Sequence, residues 1–172
     1  NVSAGGNVGE RLMAVGARHY GDIRASATDW LGRVEINEDR IDDRPSAFSG
    51  GMQQRVGLAR AFATEAPILL MDEPFGALDA LTREEMALEV LRIWTDEPKT
   101  ILFVTHSITE AVLLADRVVV MSPRPGRIAE IININLPRPR TFKIESLNEF
   151  QQSTQRIREL IFGNRDEKRI VS

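Results

Sequence analysis

The sequence predicts a mixed α/β fold: a partial, mostly parallel sheet with crossover helices, joined to a helical subdomain. Three observations carry that expectation. Two amphipathic helical segments open the chain before any strand pattern begins. Short apolar runs at 68–71, 100–105 and 117–122 then alternate with helical periods, the rhythm of parallel strands buried between crossovers. Finally, Asp72, Glu73 and His106 stand at the carboxyl ends of these runs, where open parallel sheets carry their sites.

Taken in order, Val8, Leu12 and Val15 share one helical face, and Ile23, Ala27, Trp30, Leu31 and Val34 share the next. Residues 35–48 are charged, contain Pro45 and show no period, which predicts an irregular connection. Ser49 before Gly50-Gly51 is an N-cap for a helix with Met52, Val56, Ala59 and Ala63 on one face. The run 68–71 reads as a strand buried on both sides. Thr82-x-x-Glu85 is a capping box for a helix bearing Ala87, Val90, Leu91 and Trp94, with Pro98 as its stop. A strand at 100–105 follows, and Ser107-x-x-Glu110 caps the next helix. Strands at 117–122 and 127–136 precede Pro137-Arg138-Pro139-Arg140, which reads as a stiff linker. Ser146-x-x-Glu149 then opens a last helix with Leu147, Phe150, Ile157, Leu160 and Ile161 apolar.

Composition narrows the function classes. The 172 residues are enough for one core, and 42% apolar with 27% charged residues excludes collagen-like and fully disordered classes. The absence of cysteine excludes a disulfide scaffold, a zinc finger, an iron–sulfur site and a thiol nucleophile. A net charge of −3 gives no sign of a nucleic-acid partner. The apolar runs fall far short of the roughly 20 residues of a membrane span, and the first residues do not form a signal peptide. The chain has no initiator Met, and we expect it to begin inside a longer protein.

The residues with chemical potential are few. An apolar strand ending in Asp72-Glu73 offers one carboxylate to hold Mg²⁺ through water and a second to take a proton from an attacking water. Ser49, Gly50 and Gly51 at a helix start combine small residues, backbone N–H groups and a favourable dipole, a combination that suits a phosphate. Each feature alone has an ordinary structural explanation, and a lone His106 after a strand is by default a structural residue. Their joint order points further.

FSGGMQQR at 48–55, ILLMDEP at 68–74, GALD at 76–79 and VTH at 104–106 closely resemble, in order and spacing, the ATP-binding subunit of ABC transporters. The resemblance implies a P-loop NTPase fold of the ABC ATPase type, with ATP and Mg²⁺ as cofactors. By it, Ser49, Gly50, Gly51, Met52 and Gln53 form the signature motif that contacts the γ-phosphate of ATP held by an opposing subunit. Asp72 is the metal-holding Walker B acid, Glu73 the general base and His106 the switch histidine. Residues 76–79 match the D-loop at the dimer interface, with Asp79 beside the nucleotide. The implied partners are a second ATP-binding subunit, a transmembrane permease and a periplasmic or extracellular substrate-binding protein. The implied place is the cytoplasmic face of a bacterial membrane. The expected division is a helical subdomain at 1–48, the C-terminal part of the ATPase core at 49–136, and a linker with a terminal helix at 137–172.

The departures matter equally. A P-loop needs Gly-Lys so that backbone N–H groups and an ammonium can hold the phosphates. The three lysines are Lys99, Lys143 and Lys168, and no Gly-Lys pair occurs. The family's adenine-stacking aromatic and Q-loop glutamine likewise have no counterpart here. The P-loop strand is expected to be missing from between strands 100–105 and 117–122, leaving the sheet with a gap. Residues 1–55 resemble the ATP-binding component of the phosphonate carbon–phosphorus lyase system, whereas the chain from about Val56 resembles importers of nitrate, sulfonate and taurine. That change of likeness is the pattern of a chimera, or else of a divergent single lineage. The readings open at this point are an importer ATPase subunit, an accessory component of phosphonate breakdown, and a non-functional fragment.

Overall fold

The computed structural model describes residues 2–14, 16, 19–64 and 66–170; Val15 of the first predicted helical face lies outside them. The chain forms two compact units, Asn1–Leu102 and Phe103–Ser172.

The first unit begins with α1 (Ala4–Ala14), α2 (Tyr20–Arg33) and α3 (Gly50–Phe62), which pack on one another. Val8, Ile23, Ala27, Leu31, Val34, Val56, Ala59 and Phe62 are buried, and the half-buried Trp30 stacks on Phe62. The helical periods therefore face one another, and their burial is the main stabilising term. The connection at 35–48 is more ordered than its sequence suggests. It makes two 3₁₀ turns, Glu38–Arg40 and Pro45–Ala47, and its Ile41 and Asp43 carbonyls accept from the Gly5 and Ala4 N–H groups that open α1. A Cβ on Gly5 would lie 2.5 Å from Ile41 Cγ2, so only glycine permits this approach.

Strand β1 (Ile68–Asp72) and α4 (Ala80–Asp96) follow, with β2 (Thr100–Val104) starting at the end of this unit. β1 and β2 form a two-stranded parallel sheet with α4 as the crossover. The expectation of a strand buried on both sides is corrected. Leu69 and Met71 are buried, whereas Ile68 and Leu70 are 58% and 77% exposed. The apolar run reflects residue type, but only one face is covered, so the strand shows two-residue alternation. Lys99 Nζ donates to the carbonyls of Phe62 and Thr64 at the end of α3, and Trp94 Nε1 donates to the Lys99 carbonyl.

The second unit holds α5 (Ile108–Leu114), β3 (Arg117–Met121), β4 (Ile128–Asn133), a 3₁₀ turn at Phe142–Ser146 and α6 (Asn148–Ile170). β3 and β4 pair antiparallel, with Val119 opposite Ile131 and an irregularity between Val120 and Met121. Among the described residues this hairpin is a separate sheet from β1–β2. The sheet thus divides between the strands where the gap was expected, and β3 pairs with its sequence neighbour. α6 packs on α5, β3 and β4, burying Phe150 and Ile157 with Val112, Leu113, Val118, Val120 and Ile144.

The predicted linker is a clamp. Arg140 is 4% exposed, and its guanidinium donates to the carbonyls of Leu113, Ala115, Ile134 and Leu136. Arg138 donates to the Leu114 carbonyl and to Asp116. Together they satisfy successive carbonyls at the C-terminus of α5, where a cation also suits the helix dipole. Burial, then the neighbouring Arg138, holds the Arg140 pKa below its ordinary value, with Asp116 opposing. The capping box expected at Ser146 is not made, because the Ser146 hydroxyl donates to the Lys143 carbonyl.

Candidate functional site

In the first unit the glycine-rich turn opens α3. Ser49 is its N-cap, and its Oγ accepts from Met52 N–H at 3.3 Å. Gly50 and Gly51 occupy the first turn, where backbone N–H groups have no intrahelical partner and the helix dipole favours an anion. A Cβ on Gly51 would meet Thr82 Cγ2 at 2.8 Å, so the glycine lets this turn approach the start of α4. Gln53, although exposed, lies back along the loop, donating through Nε2 to the carbonyls of Pro45 and Phe48.

Arg40 braces this turn, a role its sequence did not signal. Its guanidinium lies 4.7 Å over the Phe48 ring and pairs with Asp43 at 2.9 Å. It also donates to the Ala47 carbonyl and to Met52 Sδ. One planar cation thus joins the loop before Ser49 to the third helical residue.

Asp72 closes β1, and Glu73 follows it in the left-handed region with φ 44°. A non-glycine residue there costs roughly 1 kcal/mol, a strain found most often at functional turns. Gly76 N–H donates to the Glu73 carbonyl, and a Cβ at Gly76 would sit 3.4 Å from Glu73 Oε2. The glycine leaves room for the carboxylate above the turn. Phe75 and Leu78 are buried and anchor the segment, while Asp72, Glu73 and Asp79 are exposed.

Asp79 is the N-cap of α4, accepting from Thr82 N–H and Thr82 Oγ1 at 3.1 and 2.8 Å. This corrects the capping box assigned to Thr82 and Glu85, since the helix starts three residues earlier. The Thr82 N–H, then its hydroxyl, holds the Asp79 carboxyl below its ordinary value. Through Thr82, the structure brings the Gly51 turn alongside the Asp79 cap.

His106 belongs to the second unit, exposed on the turn between β2 and α5. Ser107 caps α5, its Oγ accepting from Glu110 N–H. Among the described residues no three acidic or histidine side chains gather into a metal cage. A single exposed carboxylate such as Asp72 suits Mg²⁺, which keeps several waters and takes its other ligands from phosphates.

The sequence of this chain matches the ABC transporter family model over residues 4–76. It is 52% identical over 130 residues to the putative phosphonates utilization ATP-binding protein PhnK of Escherichia coli K12, covering 75% of this chain and 50% of that protein. It is 48% identical over 130 residues to the aliphatic sulfonates import ATP-binding protein SsuB of Bacillus cereus, covering 76% of this chain and 51% of that protein. The chain spans about half the length of these curated relatives. Among solved structures, the ATP-binding cassette MJ0796, a dimer in a post-hydrolysis state bound to ADP and Pi, matches with a TM-score of 0.65 and 30% identity over 79% of this chain and 58% of that one. Over residues 4–76 the chain fits the ABC transporter family model, and over three quarters of its length it is similar to ATP-binding proteins of that kind.

Proposed function

We propose that this chain forms the signature-bearing part of an ATP-hydrolysing subunit that energises an ABC importer of small anions such as nitrate, sulfonate or taurine. The observation that carries the reading is the Ser49–Gly51 turn at the start of α3, set against the Asp79 cap of α4. Two first-turn glycines there present N–H groups and a helix dipole to negative charge. Asp72 would hold Mg²⁺, which would offset charge on the phosphates. Glu73 would accept a proton from the attacking water, and His106 would contact the γ-phosphate. Ser49 to Gln53 would face nucleotide held on the Gly-Lys phosphate loop of a second subunit. A permease would seat the subunit at the cytoplasmic face of the membrane, and a periplasmic or extracellular substrate-binding protein would complete the system. A second reading, an accessory component of phosphonate breakdown, is favoured by the 52% identity to the phosphonates utilization relative.

The purified chain is expected to show no Mg·ATP hydrolysis, and turnover by it alone would overturn the need for a second phosphate-binding element. In a chain extended upstream by a Gly-Lys phosphate loop, hydrolysis is expected. Glu73→Gln there should keep ATP binding and lose turnover, and His106→Ala should lower turnover. Unchanged rates in both variants would remove these two residues from the reaction. Co-purification with a membrane permease supports the importer reading, and co-purification with soluble lyase subunits supports the second.

A further inference from the structure

The turn that carries His106 is enclosed by hydrogen bonds that its placement after a strand does not require. Thr105 Oγ1 accepts from Ser107 N–H at 3.0 Å, a bond that closes around His106. The same hydroxyl donates to Glu110 Oε2 at 2.6 Å. Ser107 Oγ accepts from Glu110 N–H at 3.3 Å. Thr105, Ser107 and Glu110 therefore form a closed ring, with His106 as the residue it spans.

The ring differs from an ordinary capping box. In that motif the Glu110 carboxylate would reach back to the Ser107 N–H. Here Thr105 takes that N–H and passes a proton donor on to Glu110. Glu110 is 7% exposed, although it carries a carboxylate, and a buried carboxylate is retained at a cost unless hydrogen bonds satisfy it. Thr105 is suited to the task because one hydroxyl can accept and donate at once. His106 itself remains exposed.

We propose that Thr105 and Glu110 are positioning residues, which fix the backbone of His106 so that its imidazole is presented at a set place on the turn. The inference rests on the reading of His106 as a phosphate-contacting residue and deepens it. A hydroxyl at 105 and an acceptor at 110 become requirements of the site, although neither touches nucleotide.

The test uses the intact 172-residue chain and amide hydrogen exchange. Thr105→Val keeps shape and removes both hydrogen bonds, whereas Thr105→Ser keeps them. Ser107 amide exchange should rise roughly five- to tenfold in Thr105→Val and stay near the parent rate in Thr105→Ser. Glu110→Leu, which removes the acceptor without stranding a charge, should raise it similarly. Amides of β3 and α6 should keep their rates. Equal Ser107 exchange in the Val and Ser variants overturns the proposal, as does an equal acceleration at β3 and α6, which would mark general loosening. In the extended, ATP-hydrolysing chain, Thr105→Val should lower kcat and leave KM for ATP unchanged, with Ser restoring kcat. Failure of His106→Ala to slow hydrolysis would instead strike the functional reading, leaving the exchange result to judge the ring.

Discussion

The turn at Ser49 and the turn at His106 both open a helix, yet the first is braced from outside and the second from within. Around Ser49 the brace is Arg40, whose side chain is 31% exposed and whose partners are a ring, a carboxylate, a carbonyl and a thioether. Around His106 the brace is a buried carboxylate with two hydroxyls, and the far end of the same helix is held by the buried Arg140. An external cation can be lost at modest cost because water replaces what it gave. Buried polar groups leave unsatisfied partners behind when one is removed. The second unit should therefore respond sharply to single substitutions, and the first gradually.

The largest effect is expected at Arg140. Arg140→Ala would leave buried carbonyls at the end of α5 and in the segment just after β4 without donors and should destabilise the second unit by roughly 4 kcal/mol, read from denaturant melts and from exchange at α5 and β4 amides. Arg140→Lys should recover little, because a single ammonium cannot span four acceptors. A loss under about 1 kcal/mol would break the contrast between the units.

Arg40→Met should cost about 1 kcal/mol and loosen the Ala47 to Met52 segment without unfolding α1 to α3. A drop as large as that for Arg140 would show the outer brace to be as demanding as the inner one.

The smallest effect is electrostatic. The folded pKa of Asp79 lies below its ordinary value of 3.8, with the Thr82 N–H as the first cause. Its contribution is therefore complete above the unfolded value and lost as pH falls through the lower folded value. Thr82 amide protection should weaken in that acid window, and Asp79→Asn should flatten the dependence. An unchanged profile in the variant would detach Asp79 from the cap.

How far these features could be read from sequence follows the reach of each interaction. Ser49 and Ser107 were legible as caps because a capping side chain and its N–H partner lie within four residues. Asp79 was displaced by Thr82 because Thr82-x-x-Glu85 completes a capping-box pattern that Asp79-x-x-Thr82 does not. The run 68–71 identified a strand, but residue type does not tell whether both faces are covered. Pairing of β3 with β4, in place of a continuous sheet, depends on distant partners. Arg140 was invisible for that reason, since it finds its acceptor Leu113 at a separation of 27 residues, whereas Arg40 gathers nearby partners from Asp43 to Met52 in a connection that carries no period. Asp72, Glu73 and His106 were legible as a set through their place at strand ends, whereas Thr105 and Glu110 read as plain strand and cap.

Pro137 to Arg140 has a consequence for proteolysis. A trypsin-like enzyme must draw an extended basic side chain into its specificity pocket. The bond after Arg138 precedes Pro139, and the Arg140 guanidinium is held inside the second unit. A segment with the composition of an open linker is therefore shielded while that unit stays closed. Cleavage after Arg140 reports the opening of the second unit itself, and its rate serves as a clock for that event.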